Sequence, residues 1–243
     1  QVKITTNYLI DDISTTGDSV VEASIYKGVQ GFFRNPIDYQ TFSEDAEDKI
    51  VGKLSSQMVG PTIADDLKVK AVWAVFFALV GIFIYIAIRF KKWQFGLGGV
   101  AALAHDGFIM IALYSMFYNI LPFAMEVDQA FIAAVLTIIG YSINDSVIIY
   151  DRVREYLSLY PKRDLKDNMN AAVNSTIGRT VNTAGTTLVV LIAMFIFGGE
   201  VIRGFTFALG VGIVVGTYSS VFISVPVAYE LAVLKRKRKK AAE

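Results

Sequence analysis

One aspartate interrupts an apolar segment in the middle of this sequence. Sixteen uncharged residues, 129–144, precede Asp145, and five more follow it before the next charged residue, Asp151. A segment of this length predicts a membrane-spanning helix. A carboxylate within the hydrocarbon costs at least ~2.5–3.5 kcal/mol, so Asp145 is expected to face protein or water and to handle a proton or an ion. The alternative is a buried aspartate that only joins neighbouring helices by hydrogen bonds.

The residues around Asp145 favour a helix that is packed against other helices. Small and hydrogen-bonding residues are typical of helix–helix contacts inside membranes. Four of them lie within five positions of Asp145: Gly140, Ser142, Asn144 and Ser146. Asn144 is therefore a candidate for a relay or for a structural polar group.

An arginine lies in the next apolar segment, at a similar predicted depth. Ser175, Arg179, Asn182 and Thr186 follow one another at spacings of four, three and four, which places them on one helical face. We predict that this polar stripe faces the interior of the helix bundle. An ion pair between Asp145 and Arg179 would keep the aspartate ionised, and separation would let it take a proton. The alternative is that Arg179 lies at the membrane boundary and reaches the headgroups.

A histidine and an aspartate, His105 and Asp106, lie near the centre of another apolar segment. Histidine is the side chain that titrates nearest physiological pH, which makes a relay plausible. A structural hydrogen-bonded pair is the equally open alternative. The same two interpretations apply to Asn182 of the polar stripe, which is either a relay group or a structural polar group.

The composition indicates an α-helical polytopic membrane protein. Hydrophobic residues are 54% of the 243, the mean hydropathy is +0.49, and charged residues are 19%, against ~25% in soluble proteins. We expect a transmembrane domain at 67–234 with five spans, at about 71–90, 95–117, 129–150, 175–197 and 204–230. With one histidine and no cysteine, the chain has no multi-histidine or thiolate metal site. No cofactor and no enzymatic activity are expected, and a net charge of +1 gives no overall field for nucleic acid.

The first 66 residues differ in character and predict a small, incomplete α+β domain. Residues 2–10 and 50–59 are expected to form strands, 19–33 a helix and 39–48 an acidic loop. Two strands and one helix bury too little surface to be stable alone. The domain is therefore expected to depend on sequence outside this chain or on a partner.

The orientation follows from the lysines and arginines in the short loops. There are three at 89–92, five at 152–166 and six in the tail 235–243, but none at 118–128 and one at 198–203. The positive-inside rule therefore places the C-terminus in the cytoplasm and the N-terminal domain outside. An external domain with no span before it predicts a further helix upstream.

Three other segments have simple interpretations. The glycines Gly96, Gly98 and Gly99 lack the lysine of a phosphate loop and predict close helix packing. Residues 151–173 predict a charged surface helix that is broken at Pro161. The KRKRKK run at the start of the tail predicts a topology anchor attracted to anionic lipid, not a nucleic-acid site.

Several motifs resemble the SecF/SecDF protein-export family of the RND superfamily, and the resemblance extends over nearly the whole chain. GYSINDSVIIYDRVRE at 140–155 is similar to the family's most recognisable signature. Four further segments are similar as well: VGP at 59–61, ALAHD at 102–106, NSTIGRTVNT at 174–183 and FGGEVIRGFTFALGVGIVVGTYSS at 197–220.

The resemblance implies a fold and a function. The fold would be five spans of an RND-type six-helix bundle, with residues 1–66 as a periplasmic ferredoxin-like domain. The family uses the proton motive force to help complete translocation of unfolded polypeptides that leave the SecYEG channel. The implied partners are SecD (separate or fused upstream), SecYEG, YajC, YidC and membrane lipid, with a proton or sodium as the coupling ion. The carboxylate and arginine of the family's proton path correspond to Asp145 and Arg179, and a further aspartate of that path lies in the SecD half.

Two other functions are open to a bacterial inner-membrane protein of this kind. An RND-type small-molecule or lipid exporter would need a large external pocket, and 66 external residues are too few to enclose one. A structural scaffold would have no use for ionisable residues at the positions of Asp145 and Arg179.

Overall fold

The computed structural model describes most of the chain as two compact units. The described residues are 4, 6, 8–9, 17–44, 52–53, 61–118, 120–123, 125 and 127–242. One unit extends from Ile4 to Lys70, and the other contains Ala71–Glu243.

Within the N-terminal unit, the helix expected at 19–33 is present. Helix α1 extends over Gly17–Val29 and a 3-10 turn over Gln30–Phe32. The expected loop at 39–48 instead begins with a short helix, α2, at Tyr39–Ser43. Asp38 caps α2, because its carboxylate accepts a 2.9 Å hydrogen bond from the Tyr39 amide.

The two strands expected in this unit lie largely outside the described residues. Of the segment 2–10, only four positions are described, and two of them, Tyr8 and Leu9, form a turn. Of the segment 50–59, only Gly52 and Lys53 are described. The described part of residues 1–60 therefore contains α1, α2 and the 3-10 turn but no strand, and it does not display a ferredoxin-like domain. What it does contain is held by aromatic contacts, with the Tyr26 ring 5.4 Å from Phe42 and 5.5 Å from Tyr39.

Five helical segments in the described part of the chain are long and apolar enough to cross a membrane, as the sequence predicts. The helices are α3 at Pro61–Phe90, α4 at Trp93–Phe117, α5 at Gln129–Leu159, α6 at Leu165–Phe197, α7 at Glu200–Ser219 and α8 at Val225–Ala242. The fifth span combines α7 and α8 within Ile202–Arg238.

The prediction of a separate surface helix at 151–173 is wrong. Helix α5 continues without interruption to Leu159, and α6 begins at Leu165 after a short turn that contains Pro161. At 1.5 Å per residue the 31 residues of α5 are about 46 Å long, against about 30 Å of hydrocarbon. The charged residues of 151–173 thus lie in the ends of α5 and α6, which extend beyond the hydrocarbon. The basic tail likewise continues α8 as helix to Ala242.

Helix α5 lies at the centre of the bundle, where it packs against α4, α6 and α7 and contributes to both main cores. One core contains Ile149 and Tyr150 of α5, packed with Ile86 of α3. The other contains Ile138 of α5, packed with Leu103 of α4. All five side chains are at most 2% exposed. Asp145 lies between these two cores along α5.

The fifth span changes its helical geometry at Ser220–Ser224, where five residues form a π turn between α7 and α8. Pro226 lies two residues after the turn. A proline within a helix lacks an N–H and clashes with the carbonyl four residues earlier, here that of Phe222, which accounts for the widened turn. The buried Tyr150 hydroxyl donates to the Ser224 carbonyl at 3.1 Å and lies 2.5 Å from the Ser224 hydroxyl. The π turn is therefore held against α5.

Close packing, predicted for the glycines at the start of α4, is present there. A Cβ atom on Gly98 would lie 2.5 Å from both the Ser224 carbonyl oxygen and the Tyr150 hydroxyl oxygen. The absence of a side chain at Gly98 lets α4 approach the π turn and α5 at the same point.

Candidate functional site

Asp145 is buried inside the bundle, and one of its oxygens has no partner. The residue is 2% exposed, and its Oδ2 atom forms no hydrogen bond with the described residues. Two other hydroxyls on these adjoining helices, Ser146 Oγ on α5 and Thr180 Oγ1 on α6, are also buried and have no hydrogen-bond partner among the described residues. Buried polar atoms are almost always hydrogen-bonded, so the free Oδ2 atom makes Asp145 a group that would gain from a proton or a cationic partner.

Arg179 is on α6, which packs against α5, but its side chain is exposed. No ion pair joins it to Asp145 in the part of the chain that the structure describes. The structure therefore places the two groups on adjoining helices in an unpaired arrangement.

The two residues lie at similar depths. Asp145 is sixteen residues from Gln129 and Arg179 is eighteen from Phe197, which correspond to about 24 Å and about 27 Å from the same end of the bundle. With a hydrocarbon thickness of about 30 Å, Arg179 lies near its far edge. This depth fits an arginine that reaches either towards Asp145 or towards the headgroups.

Arg179 also lines an open cleft of about 970 Å³ at the end of the bundle where α5 ends and α6 begins. The cleft lies between α5, α6 and the end of α3. Its lining includes Arg89, Asp151, Arg152, Arg154, Glu155, Ser158 and Ser175. Arg89 pairs with Asp151, and Arg152 pairs with Glu155, so most of this charge is already compensated.

The prediction that the polar stripe faces the bundle interior is wrong. Ser175, Arg179, Asn182 and Thr186 do share one face of α6, but all four are exposed. The face that packs against the bundle carries smaller residues at intervals of four: Ala172, Thr176, Thr180 and Ala184 are all buried. Small side chains allow two helices to pack closely. The face with these residues therefore packs against the bundle, and the face with Arg179 and the other polar residues is exposed.

His105 and Asp106 belong to a second polar site on α4. Asp106 is completely buried, and its Oδ2 accepts a 2.7 Å hydrogen bond from the Ser142 hydroxyl on α5. His105 is partly exposed, with Nδ1 3.2 Å from Asp106 Oδ1 and its ring against Tyr218. Ser142 is three residues before Asp145, so the two lie one turn apart on the same side of α5. The arrangement connects an accessible imidazole to a buried carboxylate beside the helix that bears Asp145.

The two asparagines are not brought into either site. Asn144 and Asn182 are both exposed, on α5 and α6. The contact that sequence reasoning missed is Tyr150 with Ser224 at the π turn; Pro226 inside an apolar segment was the signal for that irregularity. Within the described residues, no cluster of three or more metal-binding side chains occurs. The side chains present at the two sites are carboxyl, hydroxyl and imidazole groups, which can hold and transfer protons.

The chain is similar to known proteins over most of its length. The family model described as protein export membrane protein SecD/SecF, C-terminal, matches residues 39–234. The protein translocase subunit SecF of Rhodothermus marinus is 49% identical over 189 residues, which are 78% of this chain and 61% of that protein. The protein translocase subunit SecDF of Brucella abortus is 40% identical over 211 residues, which are 82% of this chain and 27% of that protein.

Solved structures give the same result. A crystal structure of SecDF from Thermus thermophilus, described as a translocon-associated membrane protein, aligns with a TM-score of 0.69 and 34% identity. The alignment covers 90% of this chain and 27% of that one. A crystal structure of SecDF in a super-membrane-facing form aligns with a TM-score of 0.63 and 35% identity over 77% of this chain and 24% of that one. The chain spans less than two thirds of the length of each of these relatives.

Proposed function

The chain belongs to the SecD/SecF protein-export family, and on that premise we propose that it is a subunit of the Sec protein-translocation machinery. In this proposal it uses the proton motive force to promote export of unfolded polypeptides across the bacterial cytoplasmic membrane. It is a transport-coupling protein without enzymatic activity, and it needs no bound cofactor. The coupling ion is the proton, with sodium as the alternative.

The observation that best supports this function is the buried, incompletely bonded Asp145 carboxyl inside a membrane span. A permanently ionised carboxylate with an unpartnered oxygen would be energetically unfavourable in this position. The cost falls if the carboxyl takes up a proton or gains a cationic partner. Arg179 on the adjoining helix is the nearby cation, and it is exposed and unpaired with Asp145 in this arrangement. Pairing and protonation are thus two alternative ways to satisfy one group.

In the proposed cycle the two states alternate. When α5 and α6 bring Arg179 to Asp145, the carboxylate keeps its charge; when they separate, protonation is favoured. Small helix movements of this kind would couple proton passage to movement of the external domain. Asp106, hydrogen-bonded to α5 through Ser142, is a further candidate group on the path, with His105 as its accessible neighbour.

The exposed polar stripe on α6 supports an assembly with another membrane subunit. Polar side chains on a span are costly against lipid, so a partner that covers Arg179, Asn182 and Thr186 is favoured. We propose SecD, separate or fused upstream, as that partner, with SecYEG, YajC and YidC as further members of the assembly. The N-terminal domain would then lie outside the cytoplasm and the basic C-terminus inside.

The test is precursor export in cells depleted of the native factor. Asp145→Asn keeps size and hydrogen bonding but cannot titrate, so we expect normal insertion with loss of proton-dependent export. Arg179→Met should also lose export, and Asp145→Glu should retain part of it. Asp167→Asn is the matched control, since Asp167 is an exposed carboxylate in the first turn of α6. Export at the wild-type rate by Asp145→Asn, at equal membrane levels, would contradict the proposal.

A further inference from the structure

Four cations from two distant parts of the chain lie at the same end of the bundle. Lys91 and Lys92 form the tight turn between α3 and α4, and Lys235 and Arg236 belong to α8. The start of α4 packs against α8, since a Cβ atom on Gly98 would lie 3.0 Å from the Ala228 Cβ. We call these four residues the cationic turn site.

The backbone at the turn does not favour lysine. Lys91 has φ 54°, in the left-handed region where glycine or asparagine is usual and another side chain costs about 1–2 kcal/mol. Lys92 is the N-cap of α4 and makes no side-chain capping bond, whereas serine, aspartate or asparagine would. Two successive positions therefore hold a lysine where local stability favours another residue. A local cost of this kind indicates that the charge has another use.

The charges of the site are not neutralised within the described part of the chain. The nearby Arg89 and Arg154 both pair with Asp151, but none of the four residues of the cationic turn site forms an ion pair there. Glu230, the acidic residue of α8, is five positions before Lys235, a spacing that does not pair on a helix. Burial, together with the positive charges of Arg236 and Lys235, lowers the pKa of Lys92. The cluster is thus an uncompensated concentration of positive charge.

The site begins where the apolar surface of the spans ends. Trp93, next to Lys92, is 42% exposed, and Leu234, next to Lys235, is 50% exposed. Tryptophan beside lysine is typical of the level of the lipid headgroups. Uncompensated cations at that level attract anions. In the orientation proposed above, this end of the bundle faces the cytoplasm, and anionic lipids are enriched in the cytoplasmic leaflet.

We propose that the cationic turn site binds the phosphate-bearing headgroup of an anionic phospholipid. The two lysines of the turn and the first two cations of the tail hold the headgroup between them, with its acyl chains along the exposed faces of Trp93 and Leu234. The bound lipid links the α3–α4 turn to α8 and relieves the repulsion between them. This role is separate from proton coupling and does not depend on the export function.

Trp93 provides a direct probe, because the chain contains only two tryptophans. Trp73→Phe leaves Trp93 as the sole fluorophore beside the site. The purified protein in detergent is titrated with brominated phosphatidylglycerol and, separately, brominated phosphatidylcholine. We expect phosphatidylglycerol to quench Trp93 at about 25-fold lower concentration, or lower still. In Lys91→Gly/Lys92→Asn that preference should fall by about fivefold for each lysine removed.

The double variant also separates a ligand-binding role from a structural one. Glycine at position 91 relieves the left-handed strain and asparagine at position 92 caps α4, so the midpoint of thermal unfolding should rise while lipid preference is lost. Lys162→Gln/Lys166→Gln is the matched control, since it removes two exposed lysines at the same end of the bundle. It should leave the preference unchanged.

Three results would overturn the proposal. The first is equal quenching of Trp93 by the two lipids before the lysines are changed. The second is a preference that survives in Lys91→Gly/Lys92→Asn or falls equally in Lys162→Gln/Lys166→Gln. The third is loss of the preference when excess inorganic phosphate or a short single-stranded RNA is added at physiological salt, which would identify a site for soluble anions.

Discussion

The Ser142 hydroxyl on α5 donates a 2.7 Å hydrogen bond to Asp106 Oδ2 on α4, and both residues are completely buried. The bond connects a carboxyl in one span to the helix that bears Asp145 in the next. Ser142 also lies 3.5 Å from the Gly216 carbonyl, so three helices meet at this hydroxyl.

Ser142→Ala is therefore expected to lower the free energy of unfolding by about 1–3 kcal/mol, because Asp106 Oδ2 would be left buried without its donor. Ser158→Ala is the control, since Ser158 is exposed near the end of α5. Unfolding of the purified protein in detergent, followed by circular dichroism, measures both. Equal stability of Ser142→Ala and the unmodified protein would show that water replaces the serine at Asp106.

Gly216→Ala tests the close approach of α7 to Ser142. A Cβ atom at this position would lie 3.0 Å from Ser142 Cβ and 3.2 Å from its Oγ, so we expect the bond to Asp106 to be displaced, with a loss of about 1–3 kcal/mol. Gly210→Ala on the same helix has no atom within 4 Å of the added Cβ. It should be neutral or stabilise α7 by up to about 1 kcal/mol. The same unfolding assay gives both values, and a harmless Gly216→Ala would contradict the packing described here.

Tyr150→Phe tests the attachment of the π turn to α5. The change keeps the ring in the core but removes the hydroxyl that contacts Ser224, and it should destabilise the protein by about 1–2 kcal/mol. Tyr218→Phe is the control, because Tyr218 is 53% exposed and stacks on Phe222. Hydrogen exchange of the amides at 220–228 should increase in Tyr150→Phe alone. Unchanged exchange there would mean that Pro226 by itself maintains the π turn.

The proposed orientation predicts which sites an impermeant thiol reagent reaches on intact cells. Ser43→Cys in the N-terminal domain should be labelled, and Ser158→Cys at the end of α5 should be labelled only after the cells are opened. The protein has no cysteine of its own, so each variant reports one position. Labelling of Ser158→Cys but not Ser43→Cys on intact cells would reverse the orientation.

Particular features of this protein follow from the sequence alone. The length of each apolar segment identifies five candidate spans, because the bilayer fixes how many uncharged residues a span needs. The cost of a charge in hydrocarbon predicts that Asp145 is buried within protein, and it is 2% exposed. The glycines at the start of α4 predict close packing, which Gly98 provides at Tyr150 and Ser224.

Other features required the tertiary structure. Helical spacing assigns Ser175, Arg179, Asn182 and Thr186 to one face, but it does not say which face packs inward; the buried Ala172, Thr176, Thr180 and Ala184 decide that. The bond from Ser142 to Asp106 joins residues 36 positions apart, and that from Tyr150 to Ser224 joins residues 74 apart. Such contacts depend on how whole helices pack, and local sequence fixes only the period of each helix. For that reason the sequence supplies the ionisable groups, and the packing of α4, α5, α6 and α7 decides which of them meet.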